Sequence, residues 1–146
     1  MALPPFNEAG DLPEGIHPES LDGVLARFGR GSDQPRTVTT RLRRIVELAI
    51  TTGNLDYLVV FGSYVSDKEA PNDVDVILVM RDDFRSETCP AGSSALFDHS
   101  RAHDELGASI FWVRPDMLMG EPLVAFLSHW QTKRDGTQRG IVEIRP

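Results

Sequence analysis

The sequence predicts a protein of the α/β (α+β) class, a small mixed β-sheet flanked by helices, and three observations carry that expectation. Two seven-residue runs, LDYLVVF from Leu55 to Phe61 and VDVILVM from Val74 to Met80, are rich in β-branched and aromatic side chains and read as strands. The second has too little polar alternation for a strand with one face in water, so both of its faces should be covered. Segments with apolar residues at helical spacing precede and follow these runs, giving the order helices, strand, strand, helix, strand, helix, strand.

The elements follow in chain order. The first sixteen residues are rich in Pro and Gly and are expected to lie as an extended arm over a single domain, residues 17–146. A short helix comes next, with Pro18 in its first turn, Leu21, Val24, Leu25 and Phe28 on one face, and Gly29 at its end. GRGSDQP, residues 29–35, is the connector. A longer helix is predicted from about Arg36 to Thr52, with Val38, Leu42, Ile45, Val46 and Ala49 on its buried side and Gly53 as its cap. Its other side carries Arg36, Arg41, Arg43 and Arg44, which read as a solvated face, with a phosphate or RNA contact as the alternative. GSSALFDHSRAHDELG, residues 92–107, reads as a helix opened by Ser93 or Ser94 and closed by Gly107. ASIFWV is a third strand, EPLVAFLSHWQ an amphipathic helix, RDG a turn and GIVEI a last short strand.

Composition limits the function classes. A chain of 146 residues suits one core, and 40% apolar with 25% charged residues is ordinary for a globular domain. No run approaches the roughly eighteen apolar residues of a membrane span, and the N-terminal stretch lacks both a basic region and a long apolar one, so a cytoplasmic location is expected. Cys89 is the single cysteine, which excludes an intramolecular disulfide and a cysteine zinc cage and suits a reducing compartment. A formal charge of −7 disfavours a general clamp on long nucleic acid.

The stretch FGSYVSDKEAPNDVDVILVM, residues 61–80, holds the chemistry. Residues two apart on a strand project from one face, so Asp73 and Asp75 point together out of an otherwise apolar segment. Two neighbouring carboxylates repel and are costly to desolvate unless a cation lies between them. Mg²⁺ suits such oxygen donors, taking one or two carboxylates from protein and the rest of its sphere from water and substrate phosphates. The preceding Gly62-Ser63 step would let phosphates approach the backbone, with Ser63 adding a hydroxyl and an N–H at the start of a short helix. Lys68 in the intervening loop is a candidate phosphate contact, and more simply a solvated lysine. A plainer alternative makes Asn72 and Asp73 turn residues, with Asp75 ion-paired to a helix arginine.

The pattern VVFGSYVSDKEAPNDVDVILV resembles the signature of the DNA polymerase beta-like nucleotidyltransferase superfamily: an apolar residue, Gly, Gly or Ser, a short loop, then acid-apolar-acid on a strand. DLPEGIHPESLDGVLARFG and GIVEI further resemble a bacterial branch of small nucleotidyltransferase-like proteins. The resemblance implies transfer of a nucleoside monophosphate from a nucleoside triphosphate to an acceptor hydroxyl. It implies Gly62 and Ser63 at the phosphates and Asp73 and Asp75 as catalytic ligands of Mg²⁺ or Mn²⁺. The acceptor, whether protein, small molecule or tRNA, stays open, as do a homo-oligomer or partner protein and a toxin–antitoxin setting.

One position departs from the family pattern. Where a third acid is expected, on the strand GASIFWV, this chain has Ser109. If the ion at the acceptor supplied about 4 kcal/mol of transition-state stabilisation, its loss would slow transfer on the order of a thousandfold. Asp104, Glu105 and Asp116 are candidate displaced acids, so an active transferase and a catalytically weakened nucleotide- or partner-binding regulator both stay open. His99 and His103 have zinc-compatible spacing but are more simply surface residues, GRGS is not a nucleotide loop, and Trp112 and Trp130 are expected in the core.

Overall fold

The structure is a computed structural model, and it describes residues 3–29, 33–68, 71 and 73–146. Five strands form one mixed sheet: β1 Ile16–Glu19, β2 Leu55–Phe61, β3 Val74–Met80, β4 Ala108–Val113 and β5 Ile141–Ile144, in the order β1-β5-β2-β3-β4. β1 runs parallel to β5 and β4 parallel to β3, while β2 is antiparallel to both of its neighbours. The helices are α1 Leu21–Phe28, α2 Asp33–Ile50, α3 His99–Arg101 and α4 Leu123–Ser128.

The strand periodicity sorts side chains into two cores. Val74, Val76, Leu78 and Met80 of β3 join Leu58 and Val60 of β2 beneath Val38, Leu42, Ile45, Val46 and Ala49 of α2. On the other face, Ile77 and Val79 pack with Tyr57, Val59, Val113 and Ile141 against Leu127 of α4. Burial on both faces explains the missing polar alternation in β3. No helix among the described residues is long and apolar enough to cross a membrane.

Three local expectations are corrected. Pro18 lies in β1, opposite Glu143, and does not open a helix; α1 starts after Ser20, whose hydroxyl accepts from the Gly23 N–H at 3.0 Å. Proline is tolerated there because β1 is the edge of the sheet. α2 begins at Asp33, so it takes in the end of the expected connector; residues 30–32 of that connector and the Arg36 side chain lie outside the described residues. The segment 92–107 is no continuous helix: a 3₁₀ stretch Ala91–Phe97 gives way to α3 and then a π turn, Ala102–Leu106. The Ser93 and Ser94 hydroxyls donate back to the Pro90 and Ala91 carbonyls, each at 2.9 Å, instead of capping, and Asp98 caps α3 through the Arg101 N–H.

The N-terminal residues pack firmly along the sheet. Leu12 is fully buried in the larger core, and Phe6 meets Phe28 at a centroid separation of 6.1 Å. The Gly140 N–H donates to the Leu12 carbonyl at 2.8 Å and the Asp67 N–H to the Gly10 carbonyl at 2.9 Å. This segment therefore bridges the loop after β2 and the chain entering β5.

Candidate functional site

The register of the sheet builds the site. Asp75 of β3 stands between Phe61 of β2 and Ser109 of β4, three residues of one cross-strand row. Asp73, just before β3, accepts from the Val74 N–H at 3.0 Å through one oxygen and lies 3.4 Å from the Ser109 hydroxyl through the other. The Ser109 hydroxyl is also near enough to Asp75 to favour its ionised form. The Ser109 hydroxyl thus reaches both carboxylates, of which Asp75 lines the neighbouring cleft and Asp73, outside β3, does not.

Gly62 has φ +83° and ψ −165°, a conformation essentially reserved for glycine, and a methyl group placed on it would overlap the Asp75 carboxylate. The glycine is needed so that Asp75 can lie against the turn. This refines the reading of Gly62 as a gap for phosphate, because a carboxylate already fills the space a side chain would take. Burial first, and the charge of Asp73 second, push the Asp75 carboxyl up to about 6, against smaller opposing effects of Arg139 and the Ser109 hydrogen bond. Among the described side chains the cation that answers Asp75 is Arg139, from near the C-terminus, and not Arg41, Arg43 or Arg44 of α2.

Asp75, Ser63, Lys68 and Ser109 all line an open cleft of about 810 Å³. Ser63 is half-buried, with its carbonyl accepting from both the N–H and the hydroxyl of Ser66; Lys68 is exposed. One wall is aromatic: Trp130 lies 4.9 Å from Phe61 and 4.8 Å from Phe111, centroid to centroid. Trp112 packs against the larger core and Trp130 against the smaller one, as expected, and Trp130 also lines the cleft. Another wall is the tight hairpin after α4, which brings Lys133, Arg134 and Arg139 to the cleft. In that hairpin the Lys133 N–H donates to the Thr137 carbonyl at 2.8 Å, and Gly136, with φ +87°, closes the RDG turn. The sequence pointed to the turn but not to its cations, whose only advance signal was the local sequence KRDGTQR.

The candidate displaced acids do not reach this site. Asp104 lies beside His103 at 3.5 Å, Glu105 pairs with Arg101 at 2.8 Å and Asp116 with Arg114 at 3.0 Å, and none lines the cleft. His99 borders the cleft against the Phe111 ring, while His103 is exposed and does not. Among the described residues no three His, Cys, Asp or Glu side chains gather as a metal cluster. Of the α2 arginines, Arg41 reaches the Gly107 carbonyl at 3.4 Å, Arg43 and Arg44 are exposed, and none of these three lines the cleft. Asn72 lies outside the described residues.

A family model, described as a family of unknown function (DUF6932), matches residues 4–145. The chain belongs to that family. Among curated proteins nothing matches this DUF6932 chain. A solved structure from Sulfolobus solfataricus, described as a "putative nucleotidyltransferase", is similar over 59% of this chain and 76% of its own, at 15% identity and a TM-score of 0.30. A likeness that slight carries no weight for function, which is read from the site.

Proposed function

We propose that this DUF6932 protein binds a nucleoside triphosphate with a divalent cation at Asp73 and Asp75 and transfers the nucleoside monophosphate to an acceptor hydroxyl. The acceptor oxygen bonds to the α-phosphorus as it gives up its proton to solvent, while the α–β phosphoanhydride bond breaks and pyrophosphate leaves. One observation carries the reading: the Asp75 carboxylate lies against the Gly62 turn with Asp73 close to it, as the nucleotidyltransferase-like motif requires. The donor set fits one ion. All three groups offer oxygens, suited to Mg²⁺ or Mn²⁺, and the upward push on Asp75, which comes first from burial and second from the charge of Asp73, is one that a bound cation would offset. A bound cation supplies charge neutralisation at the phosphates and orients the displaced group. The protein's own part is placement: β3 and β4 hold the oxygens, and Gly62 keeps the turn against Asp75.

Ser109 favours a second reading. In the row where a third acid would stand there is a neutral hydroxyl, so the ion on the acceptor side is poorly held and nucleotide binding would outlast transfer. In that case the protein is a nucleotide-dependent regulator that acts on a partner. Calorimetry with Mg²⁺ and each nucleoside triphosphate, followed by transfer of label from α-labelled nucleotide into cell lysate, separates the two. Binding with label transfer supports the enzyme, and binding without it supports the regulator. Absence of binding refutes both.

A further inference from the structure

We propose that Lys133 and Arg139, both held by the buried carboxylate of Asp11, form a polyphosphate clamp on the cleft wall beside Asp75. The proposal rests on the reading of the cleft as a nucleotide site and names the groups that would take the phosphates.

Phosphates need positive charge close to Asp75, and the Gly62-Ser63 turn does not supply it, because the Asp75 carboxylate occupies the open side of Gly62. The cations come from the hairpin. Lys133 Nζ lies 2.8 Å from one Asp11 oxygen and an Arg139 terminal nitrogen 3.5 Å from the other. The Asp11 side chain is only 5% exposed, whereas those of Lys133 and Arg139 keep 26% and 22% of their surface. One buried carboxylate neutralises one cation, so this trio keeps a net positive charge. Each cation uses one of its N–H donors on Asp11, and both line the cleft. A chain of formal charge −7 would repel a polyphosphate, yet the cleft is lined by Lys68, Lys133, Arg134 and Arg139 against Asp75 and Asp135.

Asp11 also ties the two sides of the cleft together. Its backbone bridges to Ser66, in the loop after the Gly-Ser step, while its side chain holds the hairpin. It is therefore a positioning residue that fixes two long, otherwise mobile side chains before the anion arrives. The competing explanation is a buried ion cluster that merely fastens the N-terminal segment to the hairpin.

The test is calorimetry of the full chain with inorganic tripolyphosphate without metal, and with a nucleoside triphosphate with and without Mg²⁺, at several salt concentrations. The K133Q/R139Q variant should bind tripolyphosphate about tenfold or more weakly for each cation removed, with a shallower dependence on salt. D11N should weaken binding and D11E restore it. Because K133Q/R139Q leaves a buried carboxylate unpaired, the triple variant D11N/K133Q/R139Q provides a version without that defect, and it too should lose affinity. A fastener alone would change the melting temperature but not the salt dependence. If the folded triple variant binds tripolyphosphate as wild type does, while D73N/D75N loses Mg²⁺-dependent nucleotide binding, the clamp is refuted and the nucleotide reading stands. If tripolyphosphate binding depends on these cations but no nucleotide binds, the clamp stands and the nucleotide reading falls. If wild type binds neither, both fall.

Discussion

Replacing Asp75 by Asn should make the protein more stable at neutral pH, and the effect should vanish in acid. The folded protein holds the Asp75 carboxyl near 6, whereas the unfolded chain releases its proton near the ordinary 3.8. Between these values the folded state binds more protons than the unfolded one. Stability therefore falls as pH rises from about 4 to about 6 and stays lowered above that. A carboxyl raised from 3.8 to about 6 corresponds to a cost of about 3 kcal/mol, and because the group is partly exposed, about 1–2 kcal/mol is the realistic size. Asn keeps the shape beside Gly62 and removes the charge. For a domain of this length the gain is a rise in melting temperature of roughly 2–8 °C at pH 7.5, shrinking towards zero near pH 4. The assay is thermal unfolding of wild type and D75N from pH 4 to pH 8, in chelator and then in Mg²⁺. Added Mg²⁺ should raise the wild-type melting temperature and leave D75N unchanged. A D75N protein less stable than wild type at pH 7.5, or a difference independent of pH, refutes the account of Asp75 as a repelled, desolvated carboxylate.

Other substitutions probe the same frame. Gly62→Ala should cost about 2–4 kcal/mol in denaturant melts, since it adds both the overlap with Asp75 and the strain of a positive φ, and G62A/D75A should recover only the overlap. Ser109→Asp should lower stability in chelator, increase the stabilisation given by Mg²⁺, and raise any label transfer if the missing third acid is what limits it. Leu12→Ala should cost about 2–5 kcal/mol by calorimetry, because Leu12 is fully buried although it lies in the N-terminal segment. Nucleotide binding should change the fluorescence of Trp130, which lines the cleft, and W130F should abolish that change while Trp112 still emits.

The sheet was legible where composition and periodicity agree. β2 and β3 have the expected bounds because a β-branched run buried on both faces has little other use, and the α2 side chains at helical spacing are those that pack on the sheet. β1 was not legible: IHPE is short and contains a proline, and only its pairing with β5 makes it a strand. The segment 92–107 misled because its serines satisfy backbone carbonyls locally, which no apolar spacing reveals. In the site, the spacing predicted two carboxylates side by side on one strand; only Asp75 lies in β3, and Asp73, just before it, is brought near through the Ser109 hydroxyl that both approach. The partnership of Asp11 with Lys133 and Arg139 joins the two ends of the chain and depends on tertiary packing, so no local pattern announces it.

The most direct test of a cation held by Asp73 and Asp75 is a Mn²⁺ titration followed by electron paramagnetic resonance, with nucleoside triphosphate present, on wild type and D73N/D75N. Wild type should hold an ion that the double variant loses while remaining folded. Equal Mn²⁺ retention by both proteins would contradict a site built on these two carboxylates.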